Sequence, residues 1–418
     1  ATLSHESVIV DREDAAEVVV SAGTGGRTAF EDVAESPGAA PVSWHVAVAG
    51  QTLPDDEEPE ESFPTVPRAP VEIDGDEDFA ESPAVANPGA SGTAGDPYVI
   101  EGWVVDPAWT APCFEIRNTR SHFVLRENLC TGTDRGIVLE DVDNARIEDN
   151  VLTGLSGTAG AFPSGDAGSA TAVVLTDVAN VSIEGDNVFA FVFGGAGAAG
   201  GLGLSDGGDG GDGGDATGIR ISGVADQVSI SGATFRQISG GAGGAGSIGT
   251  ITGADGGDGG DGGDGRAIVV DAETQDLSIE EATFVYIYGG AGAAGAVGVV
   301  GMGFILGGDG GAGGDGGAMT VVDVDGTHSG LAIRQSSFTF VYGGAGGAGA
   351  VGAMSTGGAG DGGAGGDSLS VSLRGVLEDV DLSGNDFEFL YAGAGADPGV
   401  GAVHAGESGT PGSGGLCR

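Results

Sequence analysis

The sequence predicts an all-β chain: a right-handed parallel β-helix with glycine-rich polyglycine II hairpin insertions and an N-terminal β-strand extension. Three observations predict it. Apolar residues recur in three ladders that stay in phase through seven repeats. Between repeats stand insertions built almost wholly of Gly, Ala and Asp, with Gly at every third position. Finally, 40% of the residues are hydrophobic despite a formal net charge of −48, which separates the chain from disordered acidic polymers.

The first ladder is Leu125, Ile147, Ile183, Ile230, Ile279, Ile333 and Leu382. A second follows a few residues later at Cys130, Leu152, Phe189, Phe235, Phe284, Phe338 and Phe387. A third precedes it at Ile116, Leu139, Leu175, Ile221, Val270, Val322 and Leu373. Three short strands per repeat, separated by polar turns, are what one coil of a solenoid requires. Each inward side chain then packs on its counterpart one coil away, at a spacing of about 4.8 Å. The five Phe are expected to stack inside. The first coil needs an apolar cover, and residues 97–109, with Trp103 and Trp109, are expected to supply it.

Ahead of the repeats, residues 1–50 hold strand-like stretches at 6–11, 16–20 and 42–48, too few for a convincing core of their own. Residues 51–95 read as an acidic, Pro-rich linker. The solenoid is expected over 96–391, and a Gly-rich tail over 392–418. The first step of the first ladder is 22 residues; later steps of 36, 47, 49, 54 and 49 imply insertions of 14, 25, 27, 32 and 27. The four long ones are hairpins at about 194–215, 240–265, 289–317 and 343–366, placed just after the third strand.

Their outgoing arms carry Gly240, Gly243, Gly246 and Gly249, or Gly289, Gly292, Gly295, Gly298 and Gly301, and their return arms read GGDGGDGGD. A period of three matches an extended helix with three residues per turn and about 3.1 Å rise. Two Gly faces can approach neighbouring chains, while the third face carries Ala or Asp. Arms leaving the same corner of successive coils lie about 4.8 Å apart. The expectation is a two-layered slab of Ala-bearing outgoing arms and Asp-bearing return arms, with disordered spacers as the alternative.

Charge narrows the function classes. There are 62 acidic residues against 14 basic ones, and every base is Arg. Self-repulsion of this size destabilises a compact state unless salt screens it, and at molar salt the Debye length is about 3 Å. A salt-adapted organism is therefore expected. Nucleic acid is not an expected partner, since nothing basic is clustered to neutralise phosphates. No apolar run is long enough for a membrane span. The small residue Ala1 agrees with signal cleavage, so a secreted, extracellular or cell-surface location is expected.

Catalytic residues are not expected. Carboxylate pairs such as Glu127 with Asp149 are uninformative in so acidic a chain, and no Lys is present as a lyase base beside Arg117, Arg120 and Arg126. His5, His45, His122, His328 and His404 share no metal-ligand spacing. No cofactor is expected beyond loosely bound cations, for which Asp206, Asp209, Asp212, Asp215, Asp255, Asp258, Asp261 and Asp264 offer oxygen ligands. Solvated charge is the competing reading, because successive Asp on one arm lie about 9 Å apart. Cys113 and Cys130 are either a disulfide or two buried thiols, leaving Cys417 unpaired. Asn180 opens a glycosylation sequon. The third hairpin's tip, with Val299, Val300, Met302, Phe304, Ile305 and Leu306, is an apolar contact patch.

The stretches FEIRNTRSHFVLRENLCTG and IVLEDVDNARIEDNVLTG resemble β-helix repeats of the periplasmic copper-binding and polysaccharide-processing type. The insertions resemble polyglycine II bundles of glycine-rich antifreeze proteins and phage tail-fibre adhesins, and the whole resembles haloarchaeal secreted surface proteins. The first resemblance implies a fold without an activity; the second implies a rigid display platform. Ice binding is not expected, because the acid-bearing arm lacks a flat Ala/Thr surface. Two functions follow: a pilus-like filament subunit, self-assembled through its N-terminal strands, or an adhesin contacting a cell-surface or glycan target through hairpin tips. A polysaccharide-acting enzyme is the third.

Overall fold

The computed structural model describes residues 66–108, 111–203, 205–300, 307–353, 357–400 and 409–417, and, ahead of these, three short strands. The chain divides into two units, Ala1–Glu61 and Ser62–Arg418. In the first, Ser7–Val10 pairs antiparallel with Val18–Ser21 and with Ala47–Val48.

The second unit is all-β, and its named strands pair in parallel as in a solenoid-like fold. A 9-stranded and an 11-stranded sheet run its length, each strand bonded to its counterpart one coil away. The ladders set the register. Leu125 pairs with Ile147, then Ile183, Ile230, Ile279 and Ile333. Cys130 pairs with Leu152, and Phe189, Phe235, Phe284, Phe338 and Phe387 follow. Successive Phe rings lie 5.1, 4.9, 4.8 and 4.6 Å apart. The first four are fully buried; Phe387, on the outermost described strand of its sheet, is 45% exposed.

One ladder assignment is corrected. Val270 pairs with Val324, not Val322, which instead pairs with Ile268. Both valines face inward two residues apart, so hydrophobicity alone does not choose between them.

The start of the parallel stack is corrected too. Within the stretch read as linker, Val66–Arg68 and Val71–Asp74 pair with Trp103–Val105 and with Phe114–Thr119. Residues 97–109 are therefore not a cap: Tyr98–Glu101 and Trp103–Val105 are coil strands, and Trp109 lies outside the described residues. The cover is the helix Asp76–Glu81, whose fully buried Phe79 stacks 4.8 Å from Tyr98 and 5.2 Å from Phe123. Three acids in its first turn suit the positive end of the helix dipole.

Inside one corner runs a column that hydrophobic patterning passes over. Asn128, Asn150 and Asn187 are buried, and each side-chain oxygen of the latter two accepts the backbone N–H of the Asn one coil before (3.1 and 3.0 Å). Their amide groups donate to Ile100, Leu125 and Ile147 carbonyls at 3.0, 2.7 and 2.9 Å. Buried polar groups are thereby satisfied where the chain turns.

The Gly-rich arms follow the parallel strands Val151–Ser156, Val188–Phe193, Thr234–Ser239, Thr283–Tyr288, Ser337–Tyr342 and Asp386–Tyr391. Two expectations change here. The first and shortest insertion, at 157–169, also follows the third strand and also folds back, with Gly168 N–H donating to the Thr158 carbonyl (2.7 Å). The C-terminal segment is no loose tail: Gly412 and Gly415 donate to Ala396 and Gly393, as in the hairpins before it (3.0 and 2.9 Å).

Close approach is why these arms are glycine. A Cβ on Gly260 would fall inside contact distance of the Gly211 carbonyl, and one on Gly259 inside that of Ala293. Backbone cannot yield there as a flexible side chain would. Gly260→Ala is expected to cost about 1–3 kcal/mol by overpacking. Ala245→Ser, on an exposed position of the neighbouring arm, should leave the melting temperature unchanged. Thermal unfolding of the two variants checks this.

His328 supplies a pH dependence. It is buried, its Nδ1 lies 2.8 Å from the Thr274 hydroxyl, and its Nε2 has no hydrogen-bond partner among the described residues. Burial lowers its pKa from the ordinary 6.5, with Asp325 opposing. The fold thus favours neutral imidazole while the unfolded chain takes up a proton more readily. This contribution to stability is complete above 6.5 and is lost as pH falls through the folded value. His328→Gln should therefore flatten the fall in melting temperature between about pH 7.5 and 5 relative to the parent protein; identical pH profiles would contradict this.

Candidate functional site

The slab of arms is the feature on which function has to be built, and its geometry follows from where its backbone amides go. Along the return arm at 255–264 they point in three directions. Gly256, Gly259 and Gly262 donate to Asp309, Ala312 and Asp315 carbonyls of the next return arm, each at 2.9 Å. Gly257, Gly260 and Gly263 donate to Ser247, Gly244 and Gly241 of their own outgoing arm at 2.9, 2.8 and 2.8 Å. The third set, on Asp258, Asp261 and Asp264, faces outward and is taken by side chains: the carboxylates of Asp209, Asp212 and Asp215 accept them at 2.9, 2.8 and 2.8 Å.

The pattern repeats from coil to coil. Asp206 accepts from Asp255, and Asp255 from Asp309 (3.2 and 2.7 Å). Asp258 and Asp264 accept from Ala312 and Ala318, each at 2.7 Å, and Asp261 accepts from Asp315 at 2.7 Å. The row ends with Asp361 and Asp367, which accept from Thr410 and Leu416 at 2.6 and 2.7 Å. One oxygen of each carboxylate proposed as a loose cation ligand is therefore occupied by a backbone donor. Among the described residues no group of three or more His, Cys, Asp or Glu is placed to hold a metal ion. Sequence reasoning treated the stripe as solvated charge or ion ligands and missed its structural role. The available signal was its register, which sets an Asp of one return arm against an outward N–H of the next.

The carboxylates are not equivalent. Burial pushes Asp261 and Asp264 above the usual carboxylate range, with neighbouring Asp adding to it and Arg266 opposing at Asp264. Exposed Asp361 is held below that range by the Thr410 N–H.

The outgoing layer differs. Gly240, Gly243 and Gly246 donate to the next outgoing arm at Tyr288, Ala291 and Ala294 (3.0, 3.0 and 3.1 Å). Gly241, Gly244 and Ser247 donate to the preceding return arm at Gly214, Gly211 and Gly208 (2.8, 2.8 and 2.9 Å). The third amide, on exposed Ala242 and Ala245, has no protein acceptor among the described residues. The same register brings Ala196, Ala242, Ala291, Ala345 and Ala394 into one exposed column. The slab is thus two-faced, with carboxylates on one side and alanine methyls on the other. Weighing only the acid-bearing arm overlooked this flat alanine face.

Two further rows border the alanine face. At the base, Tyr288, Tyr342 and Tyr391 stack at 5.3 and 5.0 Å, beside Tyr286, Phe340 and Phe389 at 5.1 and 4.8 Å. At the tips, Leu202, Ile248, Val297, Val351 and Val400 are 70, 46, 49, 47 and 66% exposed. Of the expected contact tip, Val299 donates its N–H to Ala254 (2.8 Å) and Val300 is exposed; Met302, Phe304, Ile305 and Leu306 lie outside the described residues.

The remaining sequence candidates separate. Cys113 and Cys130 form a disulfide, and Cys417 is free and exposed. Asn180 sits exposed at a corner with φ 53°, its amide donating to Asn144 at 2.7 Å. Glu127 and Asp149 are also left-handed corner residues, and Asp149 accepts the Asp186 N–H at 2.8 Å. Arg117, Arg120 and Arg126 pair with acids of adjacent coils, Glu72, Asp141 and Glu101, at 2.9, 2.6 and 2.6 Å. No described helix is long and apolar enough to cross a membrane.

No family model matches the chain, and no curated protein matches it. Among solved structures, the chain is similar to a springtail antifreeze protein from Granisotoma rainieri, described as a nine polyproline type II helical bundle whose crystal waters match the ice lattice. Identity is 20%, covering 63% of this chain and 95% of that one, with a TM-score of 0.16. A likeness that weak carries no argument about activity.

The Asp row yields a direct test. Asp258→Ala removes the acceptor for Ala312 and should cost about 0.5–1.5 kcal/mol. Asp258→Asn keeps a side-chain oxygen and should recover most of it. Denaturant unfolding of the pair checks this, and equal losses would show that charge rather than acceptance matters.

Proposed function

We propose that the chain is a non-enzymatic structural protein of the extracellular surface in a salt-adapted organism. In this reading the solenoid is a right-handed β-helix, the arms are polyglycine II, and copies join into a pilus-like filament through their N-terminal strands. The observation that carries it is the division of the chain. Residues 1–61 form a unit of their own containing β-strands, joined to a stack whose arms are hydrogen-bonded to one another. A strand on a tether adds readily to another molecule, because main-chain pairing tolerates sequence variation. Net charge of −48 keeps copies apart at low salt and lets them meet at molar salt.

A second reading, adhesion, is favoured by the aliphatic row along the tips from Leu202 to Val400, since exposed apolar rows mark contact sites. It would use the slab to hold that row outward against a cell-surface or glycan target.

Deleting residues 1–50 separates the readings. Light scattering and electron microscopy in molar KCl should show filaments for the full chain and monomers for the truncated one, with unchanged β-sheet circular dichroism. Filaments from the truncated chain would overturn assembly through the N-terminal strands. A full chain that is monomeric at every salt concentration would leave adhesion.

A further inference from the structure

On the outer face of the 11-stranded sheet, opposite the inward residues Ile268 and Val270, charge collects at one place. Arg220, Val269 and Asp323 follow one another on successive coils. Asp271, Asp325 and Arg374 form the neighbouring column, two residues along the strands. Together with Arg266 they line a groove of about 190 Å³, and buried Val269 is its floor. Most of these charges are already matched. Arg374 donates to both oxygens of Asp323 at 3.0 and 3.1 Å, and to Asp325 at 3.2 Å. Arg266 pairs with Asp215 at 3.0 Å and with Asp264. Two side chains are left over. Half-buried Arg220 and exposed Asp271 have no side-chain hydrogen bond or ion pair among the described residues.

We infer that this groove binds a free α-amino acid with a short aliphatic side chain, its carboxylate on Arg220 and its ammonium on Asp271. A half-buried guanidinium has shed part of its water, so it gains most from an acceptor that enters beside it. Its planar fork matches a carboxylate, two N–H groups to two oxygens. Asp271 stands two residues along and one coil on, roughly 8 Å away between Cα atoms. A molecule carrying both charges on one carbon fits between the two. Charge selects against simpler ligands. A bare carboxylate would enter beside Asp271, Asp323 and Asp325, and a bare ammonium beside Arg220, Arg266 and Arg374. A zwitterion adds no net charge and answers both leftover groups. Volume sets the size, since about 190 Å³ lies below the roughly 300 Å³ at which pockets for larger organic ligands begin. What extends beyond the two charged groups lies on Val269, whose methyls favour an aliphatic side chain. The site does not depend on how copies join.

Titration of the full-length protein in molar KCl, with valine methyls labelled for NMR, tests the site. L-Alanine should shift the Val269 methyl signals to saturation, and acetate and methylamine should each bind about tenfold more weakly or worse. Arg220→Gln and Asp271→Asn should each weaken alanine binding about tenfold or more. Both should leave the melting temperature unchanged, because neither side chain has a partner among the described residues. Acetate binding as tightly as alanine would make this an anion site and overturn the inference; methylamine doing so would make it a cation site, with the same result. No saturable shift with alanine, or one that survives both substitutions, would also overturn it.

Discussion

Everything in the solenoid unit depends on one spacing, the distance between adjacent hydrogen-bonded strands of about 4.8 Å. The coils set it through parallel pairing of ladders such as Ile183, Ile230 and Ile279. Arms that leave consecutive coils inherit it and must pack at the same distance outside the core. At that distance a Cβ at most inner positions would collide with neighbouring backbone, which accounts for the Gly found there; Ala293, Ala296 and Ala350 take inner positions of the same kind and donate inward as Gly does. Those arms have no hydrophobic core of their own. Their order comes from amides that find carbonyls on two neighbours, so the coil stack and the slab enforce one register.

The same amide accounting explains how so acidic a surface is tolerated. On the return layer the outward N–H groups would otherwise be left to water, and each carboxylate of the preceding arm accepts one. Charge is concentrated where a hydrogen bond to an ionised acceptor is stronger than a neutral one. The outgoing layer has no such acceptor and carries alanine instead. Two chemically distinct faces therefore arise from one period-three pattern, differing in the residue placed at the outward position.

Much of this was legible in the sequence, and the parts that were not have identifiable causes. Ladders of Phe, Ile and Leu survive insertions of any length because each inward position pairs only with its own counterpart. The slip at Val322 arose because Val322 and Val324 are both buried, and only the spacing to Ile333 separates them. The first coil was hidden because its strands Val66–Arg68 and Val71–Asp74 are short and lie amid Pro and acids. The helix cap was hidden by its acidic first turn, with Phe79 as its one buried residue. The Asn column was present as ENL, DNV and DNV, yet polar residues at turns are ordinarily read as solvated. The Asp row escaped for a related reason: its partner is backbone of another arm, about fifty residues away, and no local pattern names it.

The central claim is that the arms are a hydrogen-bonded lattice rather than flexible spacers, and amide hydrogen exchange resolved by residue tests it most directly. Along the outgoing arm, Gly243, Gly244, Gly246 and Ser247 should be protected while Ala242 and Ala245 exchange quickly, a rhythm of three. Along the return arm Gly256, Gly257 and Asp258 should all be protected, because the Asp209 carboxylate holds the third amide. Uniformly fast exchange across residues 240–264, with the coil strands still protected, would contradict the account.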